Sequence, residues 1–215
     1  MDTFGRESGY FSRQVKTFSG INDAQLAVAN TVPKIPHFDD AAKVLTSNMP
    51  PESACVITGD FKMDNVIFHP TLPKILAIID WEMSTIGHYG ADLANTVSPF
   101  FAPKPEKEGG FAGLSHLDFK SLGLPLPEEL LQHYFAHRKG VSYPDPYKNY
   151  YLGFYWWKTG VIIQGIAARF AAGQASSARA EEVGKMTPQL GHLAWSVLKT
   201  LSGNDNTSSS SSAKL

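Results

Sequence analysis

The sequence predicts an α+β fold that is mostly helical, with one small β-hairpin set among the helices. Three observations point there. Apolar residues recur at helical spacing at Leu130, Leu131, Tyr134 and Phe135, and again at Leu190, Leu193, Ala194, Val197, Leu198 and Leu201; steps of three and four put them on one helix face. Two short β-branched runs, Val66-Ile67-Phe68 and Lys74–Ile79, flank a turn that holds Pro70 and Pro73, which is a hairpin pattern. A hydrophobic share of 43% over 215 residues supplies the core of one domain or a large piece of one.

Taken in order, residues 39–47 read as a helix capped by Asp39 or Asp40 and halted before Pro50-Pro51. Val56-Ile57 closes a short strand, and Asp60 falls on the loop that leaves it. The hairpin follows. Residues 91–97 start a helix that Pro99 is expected to end, and residues 104–113 form a charged, glycine-rich loop. Pro127 opens a helix through Lys139, with Glu128 and Glu129 in the favourable first turn. Residues 147–172 read as one long helix; Lys158, Gln164 and Arg169 interrupt its apolar run, and Gly153, Gly160 and Gly165 suit close packing, so it is expected to be buried and not to span a membrane. Thr187-Pro188 caps or kinks the last helix. The expected division is a domain over 1–203 and a disordered Ser-rich tail over 204–215, which has almost nothing to bury.

The chemistry concentrates in Thr58–Asp80. Asp60 is a carboxylate able to accept the proton of an attacking hydroxyl, and Lys62, two residues on, can offset charge on a transferring phosphate. Asn65 and Asp80 offer hard oxygen ligands of the kind Mg2+ prefers on nucleotide phosphates. Fifteen positions separate them, but a hairpin from Val66 to Ile79 brings its two ends together. Phosphoryl transfer asks little more of a protein than these groups.

Gly59-Asp-Phe-Lys-Met-Asp-Asn-Val-Ile-Phe-His-Pro70, Ile79-Asp-Trp-Glu-Met-Ser-Thr-Ile-Gly87 and Ala91-Asp-Leu-Ala94 resemble the catalytic and metal loops of the aminoglycoside phosphotransferase and choline kinase branch of the protein-kinase-like fold. With Gly9–Val15 and Gly173–Ser177, they are similar to the kinase-like domains associated with acyl-CoA dehydrogenases, and the likeness runs from about Gly9 to Leu198. The resemblance implies Asp60 as catalytic base, Lys62 as a phosphate contact, Asn65 and Asp80 as Mg2+ ligands, Glu82 as a group near the metal or its waters, and Asp92 as a brace for the catalytic loop. It also implies ATP and Mg2+ as cofactors, and a hydroxy acid or hydroxyacyl-CoA as acceptor. The chain departs from the pattern in two places. Thr58 stands where the family usually has His, which implies a less preorganised loop. Only 57 residues precede Thr58, with no glycine-rich phosphate loop and no strand lysine with a partner glutamate, so the chain resembles the large lobe alone.

Composition sets the remaining bounds. A net charge of −1 gives no electrostatic case for nucleic acid. Cys55 stands alone, which excludes an internal disulfide, and reads as a small core residue. His133 and His137 are four apart on one helix face but lack a third metal ligand. Trp156, Trp157, Lys158, Gln164 and Arg169 admit two readings: core packing with snorkelling cations, or part of an acceptor wall in which Lys158 or Arg169 meets a carboxylate or CoA phosphate. The N-terminus has no signal-peptide pattern. Ala213-Lys214-Leu215 resembles a peroxisomal import address, so an import receptor and the peroxisomal matrix are expected, with the cytoplasm otherwise. Two functions fit: an ATP- and Mg2+-dependent kinase lobe acting on a small hydroxyl-bearing substrate, or an inactive, truncated pseudokinase-like binding module.

Overall fold

The computed structural model describes residues 4–104 and 113–202. Most of the 104–113 loop, the tail over 204–215 and the Ala213-Lys214-Leu215 address lie outside the described residues. The elements are α1 (Tyr10–Leu26), α2 (Phe38–Ser47), β1 (Cys55–Ile57), β2 (Val66–Phe68), β3 (Ile75–Ile78), β4 (Thr85–Gly87), α3 (Tyr89–Phe101), α4 (Pro127–Ala136), α5 (Lys148–Ala171), α6 (Ala180–Gly184) and α7 (Thr187–Leu198), with a 3-10 turn at Met63–Asn65. The described residues divide into two compact units. One takes the segment up to Arg13 with Pro51–Tyr151; the other takes Gln14–Pro50 with the segment from Leu152 onward.

The first unit holds all four strands, in two antiparallel pairs. β1 pairs with β4, with Val56 opposite Ile86; β2 pairs with β3, with Val66 opposite Ile78 and an irregularity between Ile67 and Phe68. The β2–β3 hairpin forms where the two β-branched runs predict it. His69 builds its turn, because Nδ1 accepts the N–H groups of Thr71 (3.2 Å) and Leu72 (3.1 Å). α3 begins earlier and ends later than the sequence suggests. His88 is its N-cap and accepts the Gly90 N–H through Nδ1 at 3.0 Å. Pro99 sits inside the helix instead of ending it: proline withholds only its own N–H, and the Ala102 N–H still closes on the Ser98 carbonyl at 3.1 Å. α4 stops at Ala136, short of Lys139. His137 and Arg138 bond three residues back, to Tyr134 and Phe135, and Gly140 then turns the chain at φ +80.

In the second unit, the long α5 delivers the largest buried side chains. Trp157 is fully buried, stacks on Phe38 with ring centroids 4.9 Å apart, and donates its indole N–H to the Phe38 carbonyl at 3.3 Å. Gln164, also fully buried, donates to the Pro33 carbonyl at 3.0 Å. α2 packs on α7, and Leu190, Leu193, Ala194 and Leu198 of the predicted stripe are buried there. Gly191 permits the chain to pass, since a Cβ there would fall 2.8 Å from the Pro36 backbone nitrogen. The start of α2 corrects the expected cap. His37 precedes the helix at φ 57 with no side-chain cap, and Asp39 and Asp40 lie in the first turn, where their charges face the positive end of the helix. Thr187 likewise opens α7 without capping it; its hydroxyl donates to the Gly184 carbonyl at 2.8 Å. No helix of the described residues is long and apolar enough to cross a membrane.

Buried His88 makes a pH prediction. Its Nε2 lies 3.2 Å from the Pro51 carbonyl, so it donates there while Nδ1 accepts, and the ring is neutral. Desolvation is the main cause that lowers its pKa; Arg138 adds to the shift, while the Pro51 bond, Asp145 and Glu52 oppose it. Below the unfolded value of about 6.5 the unfolded chain takes up the proton first, so stability falls with pH there and levels once the folded ring also protonates. Urea midpoints taken from about pH 7.5 to about pH 5.5 are expected to fall more steeply for wild type than for His88→Asn. Equal slopes would show that His88 is not the titrating group.

Candidate active site

The loop after β1 is built on two constraints. Gly59 turns at φ +81, and a Cβ there would stand 2.8 Å from the Met83 carbonyl oxygen, so only glycine fits. α3 then holds the loop by its backbone. The Asp92 carboxylate accepts from the Thr58 N–H (2.7 Å), the Gly59 N–H (2.9 Å) and the Thr58 hydroxyl (3.2 Å). Asn95 donates to the Gly59 carbonyl at 3.0 Å, and the Thr96 hydroxyl to the Phe61 carbonyl at 2.9 Å. Residues 92, 95 and 96 share one face of α3. Thr58 is buried, and its hydroxyl also accepts the Asp60 N–H at 3.3 Å. It therefore ties the loop to Asp92 in the position where the resemblance implied a weaker support.

Three of the expected site residues meet directly. Lys62 Nζ is 2.8 Å from Asp60 Oδ2. Asn65, buried at the end of the 3-10 turn, donates through Nδ2 to the Asp60 carbonyl (2.8 Å) and carboxylate (3.1 Å). With the amide nitrogen committed, the oxygen is the end that a cation would take. The hairpin brings the backbone just ahead of Asp80 to Asn65. The Ile79 N–H donates to the Asn65 carbonyl at 2.9 Å, so the residue after it leaves the sheet beside Asn65. Asp80 is exposed and left-handed, at φ 64, one of two non-glycine residues with positive φ among the described residues. Such a conformation costs free energy in most residues, is better tolerated by Asp, and clusters at functional positions. Glu82 is exposed in the turn that follows. No group of three His, Cys, Asp or Glu among the described residues could hold a metal.

Other expectations resolve individually. Cys55 lies in β1 as predicted but is half-buried, with Sγ 3.5 Å from the Gly87 carbonyl, a more open place than core packing implies. His133 and His137 meet with ring centroids 4.4 Å apart and planes tilted by 42°, the second just past the end of α4. Trp156, Trp157, Lys158 and Gln164 are buried, and only Arg169 of that group is exposed. Asn95 and Thr96 are loop-holding residues that the sequence reading missed. Their signal was present as polar residues at the i+3 and i+4 positions from Asp92 on a mostly apolar helix.

A mostly helical fold with a strand-fed Asp loop, and a hairpin carrying Asn at one end and Asp at the other, defines a kinase-like phosphotransferase domain. The chain belongs to the phosphotransferase enzyme family, whose model matches residues 1–119. It is similar to acyl-CoA dehydrogenase family member 11 of Gallus gallus, 38% identical over 93% of this chain and 25% of that protein. It is also similar to acyl-CoA dehydrogenase family member 10 of Mus musculus, 34% identical over 91% of this chain and 18% of that protein. Among solved structures it matches the "crystal structure of a putative aminoglycoside phosphotransferase" from Ralstonia eutropha, with a TM-score of 0.79 and 29% identity over 92% of this chain and 57% of that one. The chain thus spans a quarter or less of these curated relatives and little more than half of that structure.

Proposed function

We propose that this domain transfers the γ-phosphoryl group of ATP to the hydroxyl of a small molecule, with Mg2+ bound. The observation that carries the reading is the meeting of Lys62 and Asn65 on Asp60, each with a polar atom within 3.1 Å of it, beside the hairpin end that presents Asp80. Asn65 and Asp80 fit Mg2+ by donor type, an amide oxygen and a carboxylate. Bound there, the ion would neutralise phosphate charge. Asp60 accepts the proton as the acceptor oxygen bonds to the γ-phosphorus and the bond to the ADP oxygen breaks. In the free protein Lys62 occupies Asp60, and an arriving phosphate would draw the ammonium to itself and leave the carboxylate open to the acceptor. The acceptor class proposed is a hydroxy acid or hydroxyacyl-CoA; the acyl-CoA dehydrogenase names of the relatives support it. The peroxisomal address belongs to the same proposal.

Calorimetric titration with ATP tests the reading. Saturable binding that requires Mg2+ is expected, and Asp80→Ala should weaken it about tenfold or more, as loss of a charged ligand does. Metal-independent binding, or binding unchanged in Asp80→Ala, would remove Asp80 from the site. One observation favours the second reading, a binding module without transfer: Met63, Ile67, Ile79, Trp81 and Met83 are all exposed around the loop and hairpin. A patch of that kind marks a surface that is covered by something else. ATP that binds but is never turned over would support it.

A further inference from the structure

The first unit contains a second polar cavity that the transfer reaction leaves unused. It measures about 280 Å³ and opens between the segment ahead of β1, the first turn of α3, the chain following α4 and the start of α5. β1 runs away from it toward Thr58, so the cavity lies at the opposite end of that strand from Asp60. Its volume is near the lower end for small-ligand sites.

Two cations, Arg138 and Lys139, and two carboxylates, Glu52 and Asp145, line it, and both oxygens of Glu52 accept the Gly9 N–H at 3.0 Å. The Arg138 guanidinium lies over the Tyr89 ring, 4.2 Å from the centroid, which fixes its position. Its Nε is buried and has no hydrogen-bond partner among the described residues. No carboxylate among them comes within ion-pair distance of it. Asp145, which lines the same cavity, is committed elsewhere: one oxygen accepts the Tyr89 hydroxyl at 3.0 Å and the other the Tyr147 N–H at 2.8 Å. Lys139 adds a second cation to the lining. His88 adds none, since both ring nitrogens are engaged and burial keeps the ring neutral. Tyr89 and Tyr151 meet hydroxyl to hydroxyl at 3.1 Å. Burial pushes the Tyr89 pKa up to about 12 and raises that of Tyr151 further, so both remain protonated at neutral pH.

A guanidinium cannot discharge by losing its proton, and a partly buried one with an unpaired N–H is costly unless an anion completes it. We propose that this cavity binds the oxyanion group of a small organic ligand, a carboxylate or a phosphate, through Arg138, with Lys139 beside it. Binding here requires neither nucleotide nor Asp60, so it stands apart from the transfer reaction.

The test is an NMR titration of the full chain with sodium acetate and, separately, sodium phosphate, at ionic strength held constant with sodium chloride. The amide signals of Gly90 and Gly140 are followed. Saturable shifts are expected with at least one of the two anions, and whichever saturates at lower concentration identifies the group. Arg138→Met should weaken that binding about tenfold or more. Asp145→Asn removes one of the two negative charges of the lining and should tighten it a few-fold. The inference is overturned if neither anion saturates, or if saturation is unchanged in Arg138→Met. Should Arg138→Met fail to fold, Asp145→Asn decides alone, and unchanged or weaker binding in that variant overturns the inference.

Discussion

Replacing Asp60 by Asn is expected to lower γ-phosphoryl transfer, to an acceptor or to water, by about 10²–10⁴-fold, the usual contribution of a positioned base. The substitution is close to isosteric. The Asn65 amide keeps its bond to the residue-60 carbonyl, and the loop above keeps its three supports from α3. What is lost is the proton acceptor and its ion pair with Lys62. Mg2+-dependent ATP binding should therefore persist while turnover disappears. The measurement is release or transfer of labelled γ-phosphate under saturating Mg2+ and ATP, for wild type and variant side by side. Wild-type turnover in the Asn variant would dismiss Asp60 as the base. Loss of ATP binding together with turnover would instead assign it to holding the site in shape.

Asp92→Ala is expected to destabilise the protein by about 3 kcal/mol and to lose ATP binding with it. The carboxylate satisfies two backbone N–H groups and one hydroxyl, and Thr58 and Gly59 are both buried. A buried donor left without a partner costs about 1–3 kcal/mol, and alanine leaves two such N–H groups. Asp92→Asn retains one oxygen and should cost about half as much by the same count. Urea unfolding measures the difference. An alanine variant within about 0.5 kcal/mol of wild type, the range of an ordinary surface change, would show that water replaces the carboxylate without loss. The two variants also separate the proposed roles: Asp60 as the group that acts on the reaction, and Asp92 as one that acts through the backbone carrying Asp60.

The agreement between sequence and structure is best where a local rule applies. The β2–β3 hairpin, the long α5 and the α7 stripe follow from periodicity and β-branched runs; the first two lie within a residue or two of their expected bounds, and α7 ends at Leu198, three residues before the last position of its stripe, Leu201. The brace from Asp92 to the loop was also legible, as part of a motif. α1 was not. Tyr10–Leu26 carries Ser, Thr, Gly, Asn and Asp at many positions and has no sustained apolar stripe, although Tyr10, Phe11 and Val15 are buried. β4 was missed because Thr85–Gly87 is three residues long and is defined only by its pairing with β1.

The sequence by itself determined the chemistry available: a carboxylate, a lysine and an amide at fixed steps, a second carboxylate past a hairpin, and the helical periodicity that makes the fold mostly α. These depend on residue type and on separations of a few positions, which local backbone geometry converts directly into space. Tertiary structure alone decided which end of the Asn65 amide remains for a cation, that Asp80 is left-handed, that Asn95 and Thr96 grip the loop, and that Arg138 stands over Tyr89 without an anion. Each of these depends on groups brought together from distant parts of the chain, and on burial that makes an unsatisfied donor or charge costly. No local pattern encodes that pairing.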